Sequence, residues 1–185
     1  MTEYEKMISG QLYDAKDAEL TRIRKKARGL IDKINKSTQE IRGGARFKHC
    51  EKLFGKTGEG LWLQPFFYCD YGKNIELGKN VYFNFNCVVL DVAKVIIGSY
   101  TLMGPNVQIY TADHPIDAKK RSEGQEFGKT IKIGSYVWIG GNAIICPGIT
   151  IGDRSMIAAG AIVTKDVPSD VIIAGNPAKI IKKLN

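Results

Sequence analysis

Two patterns of apolar positions divide the chain. In ELTRIRKKARGLIDKINKS, Leu20, Ile23, Ala27, Leu30, Ile31 and Ile34 recur at steps of three and four. That spacing puts them on one stripe of a helix, and Arg22, Arg24, Lys25, Lys26 and Arg28 mostly cover the rest of its surface. Next, Ser37-Thr-Gln-Glu40 has the form of a capping box: the serine oxygen accepts from the backbone three residues on, and the glutamate reaches back. It predicts a second short helix running towards Phe54, weakened at its start by Gly43-Gly44. Residues 1–57 are therefore expected to form a helical N-terminal cap.

From about Gly60 the helical spacing disappears and Gly, Asn and β-branched residues dominate. Every sixth residue from Ile133 is aliphatic and β-branched: Ile139, Ile145, Ile151, Ile157 and Val163. Four positions after each member stand Val137, Ala143, Ile149, Ser155, Ala161 and Val167. Upstream, Leu77, Phe83, Val89 and Val95 keep the same step, and after a slip of two residues Ile97, Met103 and Ile109 resume it. A period of six fits neither a helix nor a hairpin sheet. It fits a coil whose flat faces are each one short strand plus a corner, with Gly and Asn supplying the tight turns. One such unit cannot bury its own face, so many must stack. The expected fold is mainly β, a solenoid over residues 58–185.

The pattern fails between Ile109 and Ile131. HPIDAKKRSEGQEFGKT is polar and has no aliphatic ladder, although the step from Ile109 to Ile133 is 24, a multiple of six. The segment 111–130 is therefore expected to be an extruded loop, and a long loop on a rigid scaffold is usually functional or disordered. Pro115 stiffens its root, and the residue before it is His114, one of only two histidines.

Composition bounds the function classes. At 185 residues, with 44% hydrophobic and 25% charged positions, the chain has room for one sizeable core and a small appendage. No apolar run approaches the about 20 residues that span a bilayer. The mixed, acidic N-terminus does not read as a secretion signal, so a cytoplasmic location without membrane attachment is expected. The net charge of +8 invites nucleic acid. But the basic residues cluster in TRIRKKARG and AKIIKKLN, with no interleaved aromatics and no nucleic-acid motif. A polyanionic small ligand or a solvated surface accounts for the same charge. Cys50, Cys69, Cys87 and Cys146 form no CxxC pair and have no histidine at ligand spacing, so free thiols are expected and a zinc site is not.

From Ile75 to Asn185, the strings NFNCVVLDV, IGSYTLMGPNVQIYTADHP, VWIGGNAIICPGITIGD and GAIVTKDVPSDVIIAGNPAKII closely resemble the maltose and galactoside O-acetyltransferases. ISGQLYDAKDAEL resembles the same subgroup's helical cap. Val92, where galactoside members carry a second acid, makes the maltose branch the nearer one. The resemblance implies a left-handed parallel β-helix of hexapeptide repeats with three hexapeptides per triangular coil. With an 18-residue coil, Cys69 and Cys87 are expected to stack one coil apart, with strands about 4.8 Å apart. It also implies acetyl-CoA as co-substrate, no permanently bound cofactor or metal, a small sugar acceptor, and a homotrimer with active sites between subunits.

Residue by residue, the resemblance implies His114 as general base and Asn84 at the oxyanion, with Asn86 read as a corner residue. Asp14, Asp17 and Arg24 of the cap and Asp70, Tyr82 and Asp91 of the first coils are candidates for the acceptor. For acetyl-CoA they are Asn84, Trp138, Gly141, Ala159, Thr164 and Lys165, with Lys179 and Lys182 facing phosphate charge. Imidazole suits the base because its unperturbed pKa is near 6.5. Two other readings stand beside this one: a hexapeptide acyltransferase for another acceptor (an antibiotic, serine or an aminosugar), and a non-catalytic β-helix scaffold.

Overall fold

The computed structural model describes residues 1–37 and 44–184. Thr38, Gln39 and Glu40 of the expected capping box, and Gly43 of the glycine pair, lie outside the described residues.

Among its described residues the cap holds three helices. Helix α1 spans Glu3–Ile8 and starts on a capping box formed by Thr2 and Glu5. Helix α2 spans Ala18–Lys36, with the Asp17 side chain accepting from Leu20 N–H at its start. Of the expected stripe, α2 buries Leu20, Ala27, Ile31 and Ile34. Helix α3 spans Ala45–Leu53 and ends at Phe54. The cap is not walled off from the rest of the chain: Ile31, Ile34, Cys50, Leu53 and Phe54 belong to the same apolar core as Phe67 and Phe83. The rings of Phe54, Phe67 and Phe83 meet edge to face, with centroids 5.6 and 5.4 Å apart, the arrangement aromatic quadrupoles favour.

Beyond the cap lies a parallel β-helix with three faces. The first carries strands Ile75–Leu77, Val95–Ile97, Ile131–Ile133 and Thr150–Ile151. The second stacks six parallel strands from Trp62–Leu63 to Val171–Ala174 and ends on antiparallel Lys179–Lys183. The third runs from Phe67–Cys69 through Cys87–Leu90, Gln108–Tyr110 and Ile144–Ile145 to Ile162–Val163. Inward residues stack on their equivalents, as in the ladder Leu63, Phe83, Met103, Ile139, Ile157. Every member of both sequence ladders is buried, Ser155 included. Ser155 is accommodated because its hydroxyl donates to the Pro168 carbonyl at 2.7 Å, as a buried polar group requires.

All variation in coil length falls on one edge. From the first face to the second, and from the second to the third, inward residues step by six, as in Leu77, Phe83, Val89. From the third back to the first, the step is eight at Cys69 to Leu77 and at Val89 to Ile97, and 24 at Ile109 to Ile133. It is six at Ile145 to Ile151 and four at Val163 to Val167. The first coils therefore repeat at 20 residues, pairing Cys69 with Val89 and Cys87 with Phe67. This corrects the expected stacking of Cys69 on Cys87: the two extra corner residues shift the register. All four cysteines are free, and only Cys146 is not buried.

The expected loop is folded. Ala112–Asp113 pairs antiparallel with Gln125–Gly128, and a short helix, α4 (Ala118–Ser122), lies between them. The hairpin's second strand also pairs with Tyr13–Asp14 of the cap. Among the described residues no helix is long and apolar enough to cross a membrane.

Candidate active site

His114 follows the hairpin's first strand and is exposed. Its backbone N–H donates to Asp113 Oδ1 at 2.9 Å, and Asp113 Oδ2 takes Lys129 Nζ at 2.9 Å. Burial pushes the Asp113 carboxyl up, but the bonds from Lys129 and the His114 backbone outweigh it and hold the group below its usual range. His114 Nδ1 is 3.4 Å from the Gln125 carbonyl oxygen across the hairpin. A carbonyl only accepts, so this contact suits the tautomer with its hydrogen on Nδ1, in which Nε2 is the acceptor.

Asn84 lies elsewhere. It follows Tyr82–Phe83 at the edge between the second and third faces. Its Oδ1 accepts from Phe85 N–H at 2.8 Å, so its amide nitrogen is left to donate. Asn86 has φ 60°, the left-handed conformation that asparagine tolerates; its corner reading holds. Within this chain, then, Asn84 and His114 stand at opposite edges of the third face.

The expected acetyl-CoA residues divide the same way. Gly141 and Ala159 are on the Asn84 edge, one coil apart, with Trp138 half exposed on the adjoining second face. Gly104 and Gly140 of that edge leave no room for a side chain: a Cβ on Gly104 would meet Gly141 N at 2.6 Å, and one on Gly140 would meet Ala159 N at 2.5 Å. Thr164 and Lys165 are exposed on the His114 edge, after Ile162–Val163. Lys179 and Lys182 are exposed on the closing strand.

The acceptor candidates meet at the cap only in part. Asp70 lines a cleft of about 370 Å³ with Arg28, Ile31, Asp32, Tyr68 and Leu90. Burial, then the Glu126 charge, raises its pKa, while Arg24 and Arg28 oppose the shift. Glu126 and Asp32 escaped the sequence reading because neither belongs to a repeat; only the fold brings them near Asp70. Arg24 donates to the Tyr71 hydroxyl at 2.6 Å and to the Ala15 carbonyl at 2.5 Å, which ties α2 to the corner. Asp14 Oδ1 accepts from Lys16 N–H, and Asp17 starts α2. Tyr82 lies on the second face beside Trp62 and Leu102, away from the Asp70 cleft.

Asp91 requires a correction. It is 0% exposed, so in this fold it does not meet an acceptor directly. Its Oδ1 accepts from the backbone N–H groups of Asp70 at 3.0 Å and Tyr71 at 2.8 Å. Oδ2 has no partner. Burial drives its pKa up to about 8, against the backbone bonds that favour the charged form.

Fold and edges define a hexapeptide-repeat acyltransferase. The maltose acetyltransferase hexapeptide capping motif matches residues 6–58, and the six-repeat bacterial transferase hexapeptide matches residues 130–165. A maltose O-acetyltransferase structure from Clostridium difficile 630 is 46% identical, with TM-score 0.97 over 100% of this chain and 98% of that one. A hexapeptide-repeat acetyltransferase from Vibrio cholerae O1 biovar eltor, complexed with acetyl coenzyme A, is 40% identical, with TM-score 0.93 over 100% of both chains. A galactoside O-acetyltransferase of Lactococcus lactis subsp. lactis is 34% identical over 100% of this chain and 89% of its own length. The chain belongs to the maltose and galactoside O-acetyltransferase family.

Proposed function

We propose that the protein transfers the acetyl group of acetyl-CoA to a hydroxyl of a small sugar of the maltose, glucose or galactoside type, with His114 as general base. The observation that carries this is the Nδ1 contact with the Gln125 carbonyl at 3.4 Å, which suits the tautomer that turns Nε2 as acceptor to the open side of a braced hairpin. Nε2 takes the hydroxyl proton as the sugar oxygen attacks the thioester carbon. The tetrahedral oxyanion accepts from the Asn84 amide. The C–S bond then breaks, the imidazolium returns its proton to the departing thiolate, and the products are an acetyl ester and free CoA. General-base help of this kind is worth about 10²–10⁴ in rate.

Because the edges of Asn84 and His114 are separated by a whole face in one protomer, the reading calls for a homotrimer in which one subunit's Asn84 edge meets another's His114 edge. Acetyl-CoA then lies between them, along Trp138, Gly141 and Ala159 on one side and Thr164 and Lys165 on the other. Lys179 and Lys182 neutralise phosphate. Asp70, with Arg24, Asp14 and Asp17 as further contacts and Tyr82 brought by the neighbouring subunit's Asn84 edge, receives the sugar. The relative bound to acetyl coenzyme A supports the donor half of this reading. A cytoplasmic enzyme without a resident metal or cofactor is the matching expectation.

The test is thiol release from acetyl-CoA with glucose, maltose, galactosides, aminosugars and chloramphenicol, beside His114→Ala. Sugar-dependent release that vanishes in the variant is expected. Release that survives in a folded His114→Ala removes the base assignment, and release with chloramphenicol alone moves the enzyme to another acceptor class.

A further inference from the structure

The two-residue lengthening of the first coils gives its corners an interior. The chain from Leu90 to Lys94 turns inward at Asp91, Val92 and Ala93, all buried. Asp91 reaches back one coil and binds the corner after Cys69 through two backbone N–H groups. Its own carbonyl accepts from Asn74 Nδ2 at 2.6 Å, and Asn74 Oδ1 takes the Tyr4 hydroxyl of α1 at 3.1 Å. Tyr71, whose backbone Asp91 holds, carries the hydroxyl to which Arg24 of α2 donates. One buried carboxyl group thus joins two coils to two cap helices. The next coil repeats the device: Thr111 Oγ1 accepts from Ala93 N–H at 2.9 Å and donates to the Leu90 carbonyl at 2.6 Å.

What this device holds in place is the backbone of Asp70. A carboxylate on a lengthened, otherwise unladdered corner is free to adopt several orientations. Two bonds on consecutive amides, one of them its own, remove that freedom. An acceptor site needs its polar groups held closely, and groups one bond removed from the ligand do the holding. From this geometry we infer that Asp91 is a positioning residue for acceptor binding, acting through Asp70 without touching the sugar. The inference rests on the Asp70 cleft being the acceptor site.

The experiment compares Asp91→Ala, Asp91→Asn, Asp70→Ala and the double variant Asp70→Ala/Asp91→Ala. It reads KM for acceptor and for acetyl-CoA, kcat, and acceptor-independent hydrolysis of acetyl-CoA. Asp91→Ala leaves two buried N–H groups without an acceptor and should raise acceptor KM about tenfold or more, with acetyl-CoA KM and the hydrolysis rate unchanged. Asparagine keeps an acceptor oxygen at the same reach, so Asp91→Asn should restore acceptor KM to within about threefold of wild type. In the Asp70→Ala background, removing Asp91 should add nothing to acceptor KM.

If Asp91→Ala is not recovered folded, Asp91→Ser, which shortens the acceptor by one bond, carries the same comparison. Equal rises in both KM values, or additive effects in the double variant, overturn the positioning role while leaving the acceptor cleft intact. An unchanged acceptor KM in Asp70→Ala overturns the cleft assignment, and the inference with it.

Discussion

The Tyr13 hydroxyl donates to Glu126 Oε2 at 2.8 Å, joining the cap to the hairpin that carries His114. Tyr13 is 2% exposed, and its strand also pairs with Gln125–Glu126. Burial, then the bond to Glu126, raises the phenol's pKa above its ordinary value, so the group stays a donor throughout the working range. A hydrogen bond to a charged acceptor contributes about 1.5–3 kcal/mol. Tyr13→Phe should therefore lower stability by up to about 2 kcal/mol and loosen the hairpin. Limited proteolysis within 114–125 should accelerate first, with kcat falling more than KM rises.

Asn84 and Asn86 share one edge but are expected to respond differently. Asn84→Ala removes the proposed oxyanion donor and should cost about 10²–10³ in kcat, with little change in acetyl-CoA KM. Asn86→Gly should be almost silent, because glycine reaches φ 60° without strain. Asn86→Val should destabilise, since a β-branched residue is a poor fit there. Steady-state kinetics and thermal unfolding of the three variants separate chemistry from corner geometry.

Stability should depend on pH through Asp91. Its carboxyl rises from an ordinary 3.8 to about 8, chiefly through burial, with the nearby Asp70 charge adding to the shift. A raised pKa means that the folded state holds the proton more tightly than the unfolded chain. The associated stability is full below about 4 and is lost as pH climbs through about 8. Asp91→Asn removes the titration, so its Tm should gain on that of wild type between pH 5 and 9. A constant gap between the two melting curves would contradict the assignment.

Within the ladder, Ile139 is fully buried between Met103 and Ile157. Ile139→Ala should cost about 2–5 kcal/mol, because a rigid stack cannot collapse around the gap. Lys132, exposed on the first face, should tolerate alanine within about 0.5 kcal/mol. Urea titration of both variants provides the check.

The ladder was legible because each inward position needs the same kind of residue in every coil. Ile133 to Val163 and the plus-four set from Val137 to Val167 are buried as read. The slip of two after Val95 was also visible, but its meaning was not. A lengthened corner looks like noise until Asp91 is seen to fill it. The Cys69–Cys87 expectation failed for the same reason, since an 18-residue coil was applied where the chain uses 20. The cap stripe was readable from helical spacing, whereas the hairpin's pairing with Tyr13–Asp14 was not, because contacts between distant polar segments leave no period. Glu126 shows this most plainly: nothing in GQEFGK sets that glutamate apart, and only its partner in the cap, Tyr13, does.

Two of the three edges never change length, and the third changes at almost every coil. That third edge holds the Asp70 corner, the Asp91 corner, the His114 hairpin, and Thr164 with Lys165. A chain built this way works like a book with a fixed spine and pages cut to different widths. Insertions or deletions at that one margin leave the stacked interior in register. Grafting a different hairpin between Ile109 and Ile133 is thus a route to retargeting the molecule without redesigning what holds it together.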